Sequence, residues 1–416
     1  MERLKKVVVL GHGTVGSGVV ELVERNKEYL MDKYQQEFAI TGILVRNLEK
    51  HLGKGKDHLL TDSFENLLEQ KPDIAVEVMG GIQPARTYVK TLLDLGVSVV
   101  TANKDLIAEH GLELLQAAQA GGAVLHFEAS VGGGIPVIKP FRESLKGNRI
   151  RSIIGIMNGT TNFILSKMYD EDLSYGESLR LAQDAGFAEA DPTSDVKGYD
   201  AARKLAILSS IAFDKAISWQ HMGCEGVQDV QPFDVANARA VHCKIKLLAI
   251  ALRSGHNIHC SVRPALVDKH SFLGHIDGEN NAIEIEGDAV GKVMFTGAGA
   301  GKLPTASAVY GDLLDVLSEK ANGILPLNSD VDYQLIPYYN APTQWLVRLR
   351  VNHIQDTVDL ILSSFSDHSL QLHHLNSKDN LFFLVDTEDE RQLLQKLAPL
   401  QGSSSVEELR HFLIYR

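Results

Sequence analysis

A short stretch in the middle of the chain carries three carboxylates and a lysine: Glu189, Asp195, Asp200 and Lys204. We predict a helix over residues 196–213, and because it is apolar nearly all round, that helix should be buried. Asp200 and Lys204 are four residues apart and would share one side of it. They could form a simple ion pair, but a buried charge is costly unless it is paired or used. Carboxylates that converge near a lysine suit a small zwitterion with an ammonium group.

A β-branched run at the N-terminus ends in a glycine-rich turn, Gly11-x-Gly13-x-x-Gly16, which leads into a helical pattern. A strand, this turn and a helix in that order form the dinucleotide-binding fingerprint. The first glycine allows the tight turn, the second lets the backbone approach a pyrophosphate, and the third lets helix and strand pack closely. The helix N-terminus supplies N–H donors. We therefore predict that the cofactor is bound by five residues of the turn: Gly11, Gly13, Thr14, Val15 and Gly16.

Strand-like and helical patterns alternate after this turn, with further strands expected at residues 74–79, 97–100 and 123–127. Such alternation predicts an α/β fold with a doubly wound parallel sheet, whose ligands bind beyond the carboxyl ends of the strands. Lys104 and Glu128 both follow such ends. A solvated surface charge is the ordinary alternative for a lysine in a loop, but its position at the crevice favours a role in the site.

The second strand, expected over residues 38–45, ends at Arg46. An NAD-selective site has an acidic residue here to hold the ribose hydroxyls, whereas arginine suits a 2′-phosphate. Lys50, Lys54 and Lys56 follow and add positive charge. The sequence therefore favours NADP, while the alternative, in which Arg46 is an exposed loop residue and NAD also binds, stays open.

Glu128 begins a glycine-rich turn that runs to residue 136. Glycine turns present backbone carbonyls, and carbonyls with one carboxylate can form a site for a hard cation. The alternative is a sharp bend between domains.

Composition and the remaining patterns limit the classes of protein that fit. The 416 residues suffice for two or three domains, and the net charge of -12 argues against a nucleic-acid partner. No apolar run is long enough for a membrane span. Three cysteines without CxxC spacing are expected to be reduced thiols of a cytoplasmic protein, and the scattered histidines do not form a zinc pattern.

The domain organisation follows from changes in pattern along the chain. From about residue 150 the elements are mixed α+β, and from residue 345 they read strand, helix, strand, strand, helix, strand, which is the ferredoxin-like order. We predict four parts: a cofactor domain at 1–135 that is completed by about 298–325, a catalytic and dimerisation domain at 136–297, a linker at 326–344, and a small C-terminal domain at 345–416.

The chain resembles the homoserine dehydrogenases over about residues 1 to 320. The resemblance rests on the motifs above and on others in the same order: Thr101-Ala102-Asn103-Lys104, Asn158-Gly159-Thr160-Thr161-Asn162, Gly186-x-x-Glu189-x-Asp191-Pro192, Asp195-x-x-Gly198-x-Asp200-x-x-x-Lys204 and Gly297-x-Gly299-x-Gly301. It implies a Rossmann-type domain, a dimerising α+β catalytic domain and, in some members, a C-terminal ACT domain. The tail lacks the Asp-x-Pro-Gly turn that commonly shapes the ACT effector pocket, so we predict an ACT-like domain and assign it no effector.

The resemblance also implies an activity, namely the reversible NAD(P)-linked interconversion of L-homoserine and L-aspartate 4-semialdehyde on the route to threonine and methionine. Lys204 would be the acid/base group and Lys104 would assist beside the nicotinamide. Glu189 and Asp200 would bind substrate with support from Asp195. The protein would be a homodimer or tetramer.

Two further groups of residues carry over by resemblance. Glu128 and the backbone carbonyls of Val131, Gly133 and Ile135 match the family's sodium site. The backbone of two glycines would contact the cofactor: Gly186 and Gly301.

Two alternatives compete with this interpretation. Aspartate-semialdehyde dehydrogenase needs a nucleophilic cysteine, and none of the three cysteines lies in a turn that suits one. A cofactor-sensing regulatory protein would combine a Rossmann and an ACT-like module without catalysis, but it would have no need of the buried Asp200 and Lys204.

Overall fold

The computed structural model describes residues 3–53, 56–317, 333–366, 370–374 and 379–416. Its strands, in chain order, are β1 Arg3–Leu10, β2 Gln36–Leu44, β3 Leu60–Thr61, β4 Ile74–Glu77, β5 Ser98–Thr101, β6 Leu125–His126, β7 Ile150–Ile156, β8 Gly223–Cys224, β9 Cys243–Ser254, β10 Asn257–Asp268, β11 Asn280–Gly287, β12 Gly291–Ala298, β13 Gln334–Ile336, β14 Thr343–Val351, β15 Leu370–His374, β16 Asn380–Thr387 and β17 Val406–Tyr415.

The α-helices are α1 Thr14–Arg25, α2 Lys27–Tyr34, α3 Phe64–Glu69, α4 Ala85–Asp94, α5 Lys104–Gly121, α6 Ile138–Arg142, α7 Gly159–Glu171, α8 Tyr175–Asp184, α9 Thr193–Val196, α10 Tyr199–Phe213, α11 Pro232–Ala240, α12 Lys302–Leu317, α13 Ile354–Ser364 and α14 Glu390–Gln401. Among the described residues, no helix is long and apolar enough to cross a membrane.

The chain folds as two compact units. The first comprises Met1–Ile150, Arg203–His221 and Glu286–Val331, and the second comprises Arg151–Ala202, Met222–Ile285 and Asp332–Arg416. The prediction of a linker at 326–344 falls partly on residues outside the described ranges, and Gln334–Ile336 within it forms β13. Lys54, from the predicted basic cluster, also lies outside the described residues.

A parallel sheet forms the centre of the first unit, with the strand order β3-β2-β1-β4-β5-β6. This is the doubly wound order of dinucleotide-binding domains, so the predicted fold class is confirmed. The apolar run of β1, from Val7 to Leu10, is fully buried because both faces of a central parallel strand are covered. Helices α1 and α12 pack against this core, where Ala306 and Leu313 of α12 are fully buried.

The second unit contains a sheet that runs β11-β7-β9-β10-β17-β14-β16-β15. Its longest pair, β9 and β10, is antiparallel over twelve residues of each strand. The C-terminal segment has the predicted order of elements, and the antiparallel order β17-β14-β16-β15 is the ferredoxin-like one. Because β17 also pairs with β10, this segment continues the larger sheet.

The predicted helix over residues 196–213 is wrong at its start. The chain forms a short helix, α9, and then α10, with Gly198 between them. Gly198 has a φ of +82°, a backbone conformation that continues neither helix and that favours glycine. The break turns the chain between Asp195 and Asp200.

Candidate functional site

The glycine-rich turn between β1 and α1 leaves an open cradle at a helix N-terminus. A Cβ on Gly11 would lie 2.9 Å from the carbonyl oxygen of Val78, and one on Gly16 would lie 2.1 Å from that of Gly11. Both glycines are therefore required for close packing. A Cβ on Gly13 would meet nothing within 4 Å, and no side chain caps the helix there. The cradle and its N–H groups, with Thr14 and Val15 in the first turn, suit a pyrophosphate.

Arg46 lies two residues beyond the end of β2 and is exposed. Within the described part of the chain, its guanidinium has neither a hydrogen bond nor an ion pair. Lys56, by contrast, pairs with Glu24. Arg46 therefore keeps a positive charge at this strand end that no neighbouring carboxylate among the described residues neutralises.

A buried carboxylate organises the loop that leads to Lys104. Glu77, at the end of β4, accepts hydrogen bonds from the Thr101 hydroxyl at 2.6 Å and the Met79 N–H at 2.8 Å. Asn103 donates to the same carboxylate and caps α5 through its side-chain oxygen. Burial raises the pKa of Glu77, against the effect of these donors. Lys104 is the first residue of α5 and is half-buried, so this network determines where its backbone lies.

Sequence reasoning did not single out Glu77 as a site residue. The available signal is a carboxylate that directly follows an apolar strand, Ile74-Ala75-Val76. Its partners come from the end of the neighbouring strand β5, and the sheet order that brings them together is not readable from local pattern.

Glu128 holds the start of α6 rather than facing solvent. Its carboxylate accepts the backbone N–H groups of Val137, Ile138 and Lys139 at 2.6, 2.8 and 2.6 Å. Its own N–H donates to the buried Asp312 at 2.8 Å. Glu128 accordingly anchors the glycine-rich turn at both of its ends, through its backbone N–H at one end and its carboxylate at the other.

The turn after Glu128 is packed against the second glycine cluster of the first unit. A Cβ on Gly133 would lie 2.5 Å from the carbonyl oxygen of Gly299, so backbone meets backbone here. Val131, Gly133 and Ile135 are buried, and among the described residues no donor reaches their carbonyl oxygens. Gly301 ends the second cluster immediately before α12.

In the second unit, one asparagine joins two of the predicted substrate carboxylates. The side-chain NH2 of Asn158 donates to Asp195 at 2.8 Å and to Asp200 at 2.9 Å. Its side-chain oxygen accepts the N–H of Thr161 at 2.9 Å and so caps α7. Asn158 and Asp200 are buried and Asp195 is half-buried. Two carboxylates that share one NH2 group form an anionic pair that is suited to a cation.

The other predicted residues are placed as follows. Lys204 follows Asp200 by one turn of α10 and is half-buried. Glu189 is exposed, in the loop after α8, and no described contact brings its carboxylate to the Asp195–Asp200 pair. Gly186 begins this loop, and the Thr160 hydroxyl donates to the carbonyl oxygen of Phe187 at 2.6 Å, which ties the loop to α7.

Asn158 enters the sequence-based prediction only within one of the motifs that carry the family resemblance. The signal was available, because asparagine directly before a helix is a strong N-cap. Its second role, as donor to two carboxylates, depends on the break at Gly198 and was not predictable.

The three cysteines do not provide a nucleophile for a thioester mechanism. Cys243 and Cys260 are buried, and burial raises the pKa of Cys243 to about 11. The Cys224 thiol donates to the carbonyl oxygen of Lys197 at 3.1 Å. A thiol with a raised pKa is a poor nucleophile.

Comparison with known proteins extends over nearly the whole chain. One family model, described as homoserine dehydrogenase, matches residues 136–314, and another, described as the homoserine dehydrogenase NAD-binding domain, matches residues 11–128. A homoserine dehydrogenase of Bacillus subtilis is 39% identical over 371 residues, which cover 88% of this chain and 86% of that protein.

Solved structures give the same result. A homoserine dehydrogenase from Thiobacillus denitrificans superimposes with a TM-score of 0.90 at 35% identity, covering 100% of this chain and 99% of that one. A hyperthermophilic archaeal homoserine dehydrogenase solved in complex with NADPH has a TM-score of 0.66 at 27% identity, covering 76% of this chain and 98% of that one.

Proposed function

The chain belongs to the homoserine dehydrogenase family, and we propose how its own residues divide the work of the reaction. Members are oxidoreductases that act on the CH–OH group of L-homoserine with a nicotinamide nucleotide, and the product, L-aspartate 4-semialdehyde, lies on the route to threonine and methionine. The observation that carries the proposal is the anionic pair of Asp195 and Asp200, joined by Asn158.

The substrate is a zwitterion, and its ammonium group requires anionic ligands. Asp195 and Asp200 provide two carboxylates whose orientation is held by Asn158, and this supports a role for both in substrate binding. Glu189, on the neighbouring loop, is the third carboxylate that we assign to the substrate.

We assign the proton to Lys204, which follows Asp200 by one turn of α10. In the oxidation of homoserine, the hydroxyl proton passes to the neutral amine of Lys204 while the carbon-bound hydrogen leaves as hydride. In the reverse direction, the ammonium of Lys204 protonates the oxygen as negative charge develops on it. Lys104, held by the Glu77 network at the start of α5, is the second cation and stabilises the same oxygen.

The cofactor, when bound, supplies the hydride acceptor or donor. Its pyrophosphate fits the cradle of Gly11, Gly13 and Gly16. We propose NADP as the preferred form because Arg46, at the end of β2, is exposed and has an unneutralised charge. Thr14, Val15 and Lys104, together with the backbone of Gly186 and Gly301, complete the proposed contacts with the nucleotide.

We also propose that Na+ binds the glycine-rich turn. The carbonyl oxygens of Val131, Gly133 and Ile135 belong to buried residues and have no donor among the described ones. Buried carbonyls without a partner are costly, so a hard cation would stabilise the turn. Glu128 accepts three N–H groups and retains lone-pair capacity on its oxygens for the ion. Replacing Na+ by choline is expected to lower the melting temperature.

The remaining proposals concern the oligomeric state, the cellular location and the roles of the domains. We propose a cytoplasmic homodimer or tetramer, a catalytic domain over residues 136–297 and an ACT-like role for residues 345–416. The antiparallel order β17-β14-β16-β15 supports the last of these.

The experiment that tests these roles is L-homoserine-dependent reduction of NADP at alkaline pH, with the wild type beside Lys204→Ala. Turnover in the wild type and a loss of about 100- to 10,000-fold in the variant are expected, because general acid–base catalysis contributes a factor of this size. Turnover that survives the substitution would assign the proton to Lys104 or to water instead. Nucleotide binding without any turnover in the wild type would favour a sensor.

A further inference from the structure

An ion pair joins the two helices that carry the proposed catalytic lysines. The guanidinium Nε of Arg203 lies 3.3 Å from Oδ1 of Asp105. Asp105 is the neighbour of Lys104 at the start of α5, and Arg203 is the neighbour of Lys204 on α10. All four belong to the first unit.

An aromatic ring completes this connection. The guanidinium carbon of Arg203 lies 4.4 Å from the centre of the Trp219 ring, at the distance of a cation–π contact. Trp219 follows α10 in the chain and is half-buried. Arg203 is thus held by a carboxylate of one helix and by a ring that follows the other helix, and we call these three residues the Arg203 clamp.

A cavity separates the same two helices farther along. It has a volume of about 400 Å³ and is lined by Ile107 and Leu115 of α5 and by Ile207 and Ile211 of α10, among others. Side chains therefore do not fill the space between the helices along this stretch. Without continuous packing, the spacing of the helices depends more strongly on the contacts at the end of the cavity nearest the lysines.

We propose that Arg203 and Asp105 are positioning residues that set the separation between the amines of Lys104 and Lys204. This inference rests on the proposed roles of those lysines. Proton transfer and charge stabilisation require both lysine amines near one oxygen, and a displacement of about 1 Å can cost on the order of 100-fold in rate. The clamp holds the backbone beside each lysine.

The test is a set of purified full-length variants, Asp105→Asn, Arg203→Gln and the double variant, assayed with L-homoserine and NADP. Each single variant is expected to lower kcat by about 10- to 100-fold. The dissociation constant of NADP, measured by fluorescence titration, should stay within about threefold of the wild type, since the clamp positions the chemistry rather than the nucleotide. The double variant should be no worse than the worse single one, because both substitutions break the same contact.

Two further variants separate positioning from general stability. Glu113→Gln breaks the ion pair between Arg86 of α4 and Glu113 of α5, whose shortest distance is 2.8 Å, and should lower the melting temperature without changing kcat. Arg203→Lys keeps the charge but has no planar guanidinium to stack on the Trp219 ring, so it should retain an intermediate kcat.

The outcomes that overturn the proposal are distinct. Single variants that lose melting temperature but keep kcat would make the clamp purely structural, and a multiplicative loss in the double variant would mean that the two residues act separately. A raised dissociation constant for NADP in Arg203→Gln alone would make Arg203 a nucleotide contact. Lys104→Ala and Lys204→Ala belong in the same series. If both lysine variants keep the wild-type kcat, the proposed lysine roles are wrong. If the lysine variants lose kcat while the clamp variants keep it, only the proposal for the clamp is wrong.

Discussion

Replacing Asn158 by serine should separate substrate binding from folding. Asn158 has two roles: its NH2 group donates to Asp195 and Asp200, and its oxygen caps α7 by accepting the N–H of Thr161. Serine is as good an N-cap as asparagine but has no NH2 group. Asn158→Ser therefore removes the bridge between the carboxylates and keeps the cap.

The size of the effect follows from the two bonds. A hydrogen bond to a charged group contributes about 1.5–3 kcal/mol, so two bonds contribute at most about 3–6 kcal/mol. Serine is smaller than asparagine and leaves room for water, which restores part of the lost hydrogen-bond stabilisation. We expect a loss of about 2–3 kcal/mol in the transition-state complex, which corresponds to a fall in kcat/KM for L-homoserine of about 30- to 150-fold.

The assay is steady-state reduction of NADP with varied L-homoserine, accompanied by thermal unfolding of each variant. Asn158→Asp keeps the cap but places a third carboxylate against the other two, so it should be worse than Asn158→Ser. Ser174→Ala is the matched control, since it removes an N-cap from α8 in the same unit, where Ser174 contacts neither carboxylate. It should lower stability by about 1 kcal/mol and leave kcat/KM unchanged.

Wild-type kcat/KM in Asn158→Ser would refute this reasoning, because the bridge would then be dispensable. An equal loss of kcat/KM in Asn158→Ser and Ser174→Ala would also contradict it, because the loss would then be an effect of helix capping.

Three further predictions use single substitutions. Arg46→Ala should raise KM for NADPH about tenfold and spare NADH, and an equal effect on both nucleotides would exclude a 2′-phosphate contact. Gly13→Ala should keep the melting temperature but weaken nucleotide binding at least about tenfold, whereas Gly16→Ala, with a Cβ 2.1 Å from a carbonyl oxygen, should unfold at a lower temperature. Burial alone would raise the pKa of Glu390, but bonds from His411 and Arg263 outweigh it and lower the pKa to about 2. Because the folded-state pKa is below the unfolded one, the ionised carboxylate stabilises the fold above about pH 4.5 and loses this effect as the pH falls toward 2. The difference in melting temperature between wild type and Glu390→Gln should therefore be largest near neutral pH and shrink below pH 4.5, and a constant difference would contradict the assignment.

Local pattern was sufficient for the strand, turn and helix that begin the first unit. The turn from Gly11 to Gly16 predicted a strand before it and a helix after it, and both are present. The reason is that hydrophobic period and glycine requirement are properties of neighbouring residues. The break at Gly198 was missed because a glycine among apolar residues is compatible with a continuous helix until its φ is known.

The polar networks of the site were not predictable in the same way. Glu77 and Asn158 are joined to their partners by turns that are distant in sequence, at 24 and 26 residues for Glu77 and at 37 and 42 residues for Asn158. A buried carboxylate or amide needs a hydrogen-bond partner, but strand order and loop direction determine which residue that partner is. A buried carboxylate after a strand, or an N-cap asparagine before an apolar helix, is therefore a reason to search for a network.

The structure separates glycines that the fold requires from glycines that a ligand requires, whereas the sequence motifs do not. Gly13 and Gly133 both lie in glycine-rich turns, and both were candidates for ligand contact. A Cβ on Gly133 would collide with the carbonyl oxygen of Gly299, so the fold alone requires glycine there. A Cβ on Gly13 would meet nothing, and Gly13 has a φ of -83°, which any residue adopts. Since folding places no demand for glycine at position 13, the demand comes from what binds in the open cradle, and that makes Gly13 the more direct sign of a nucleotide.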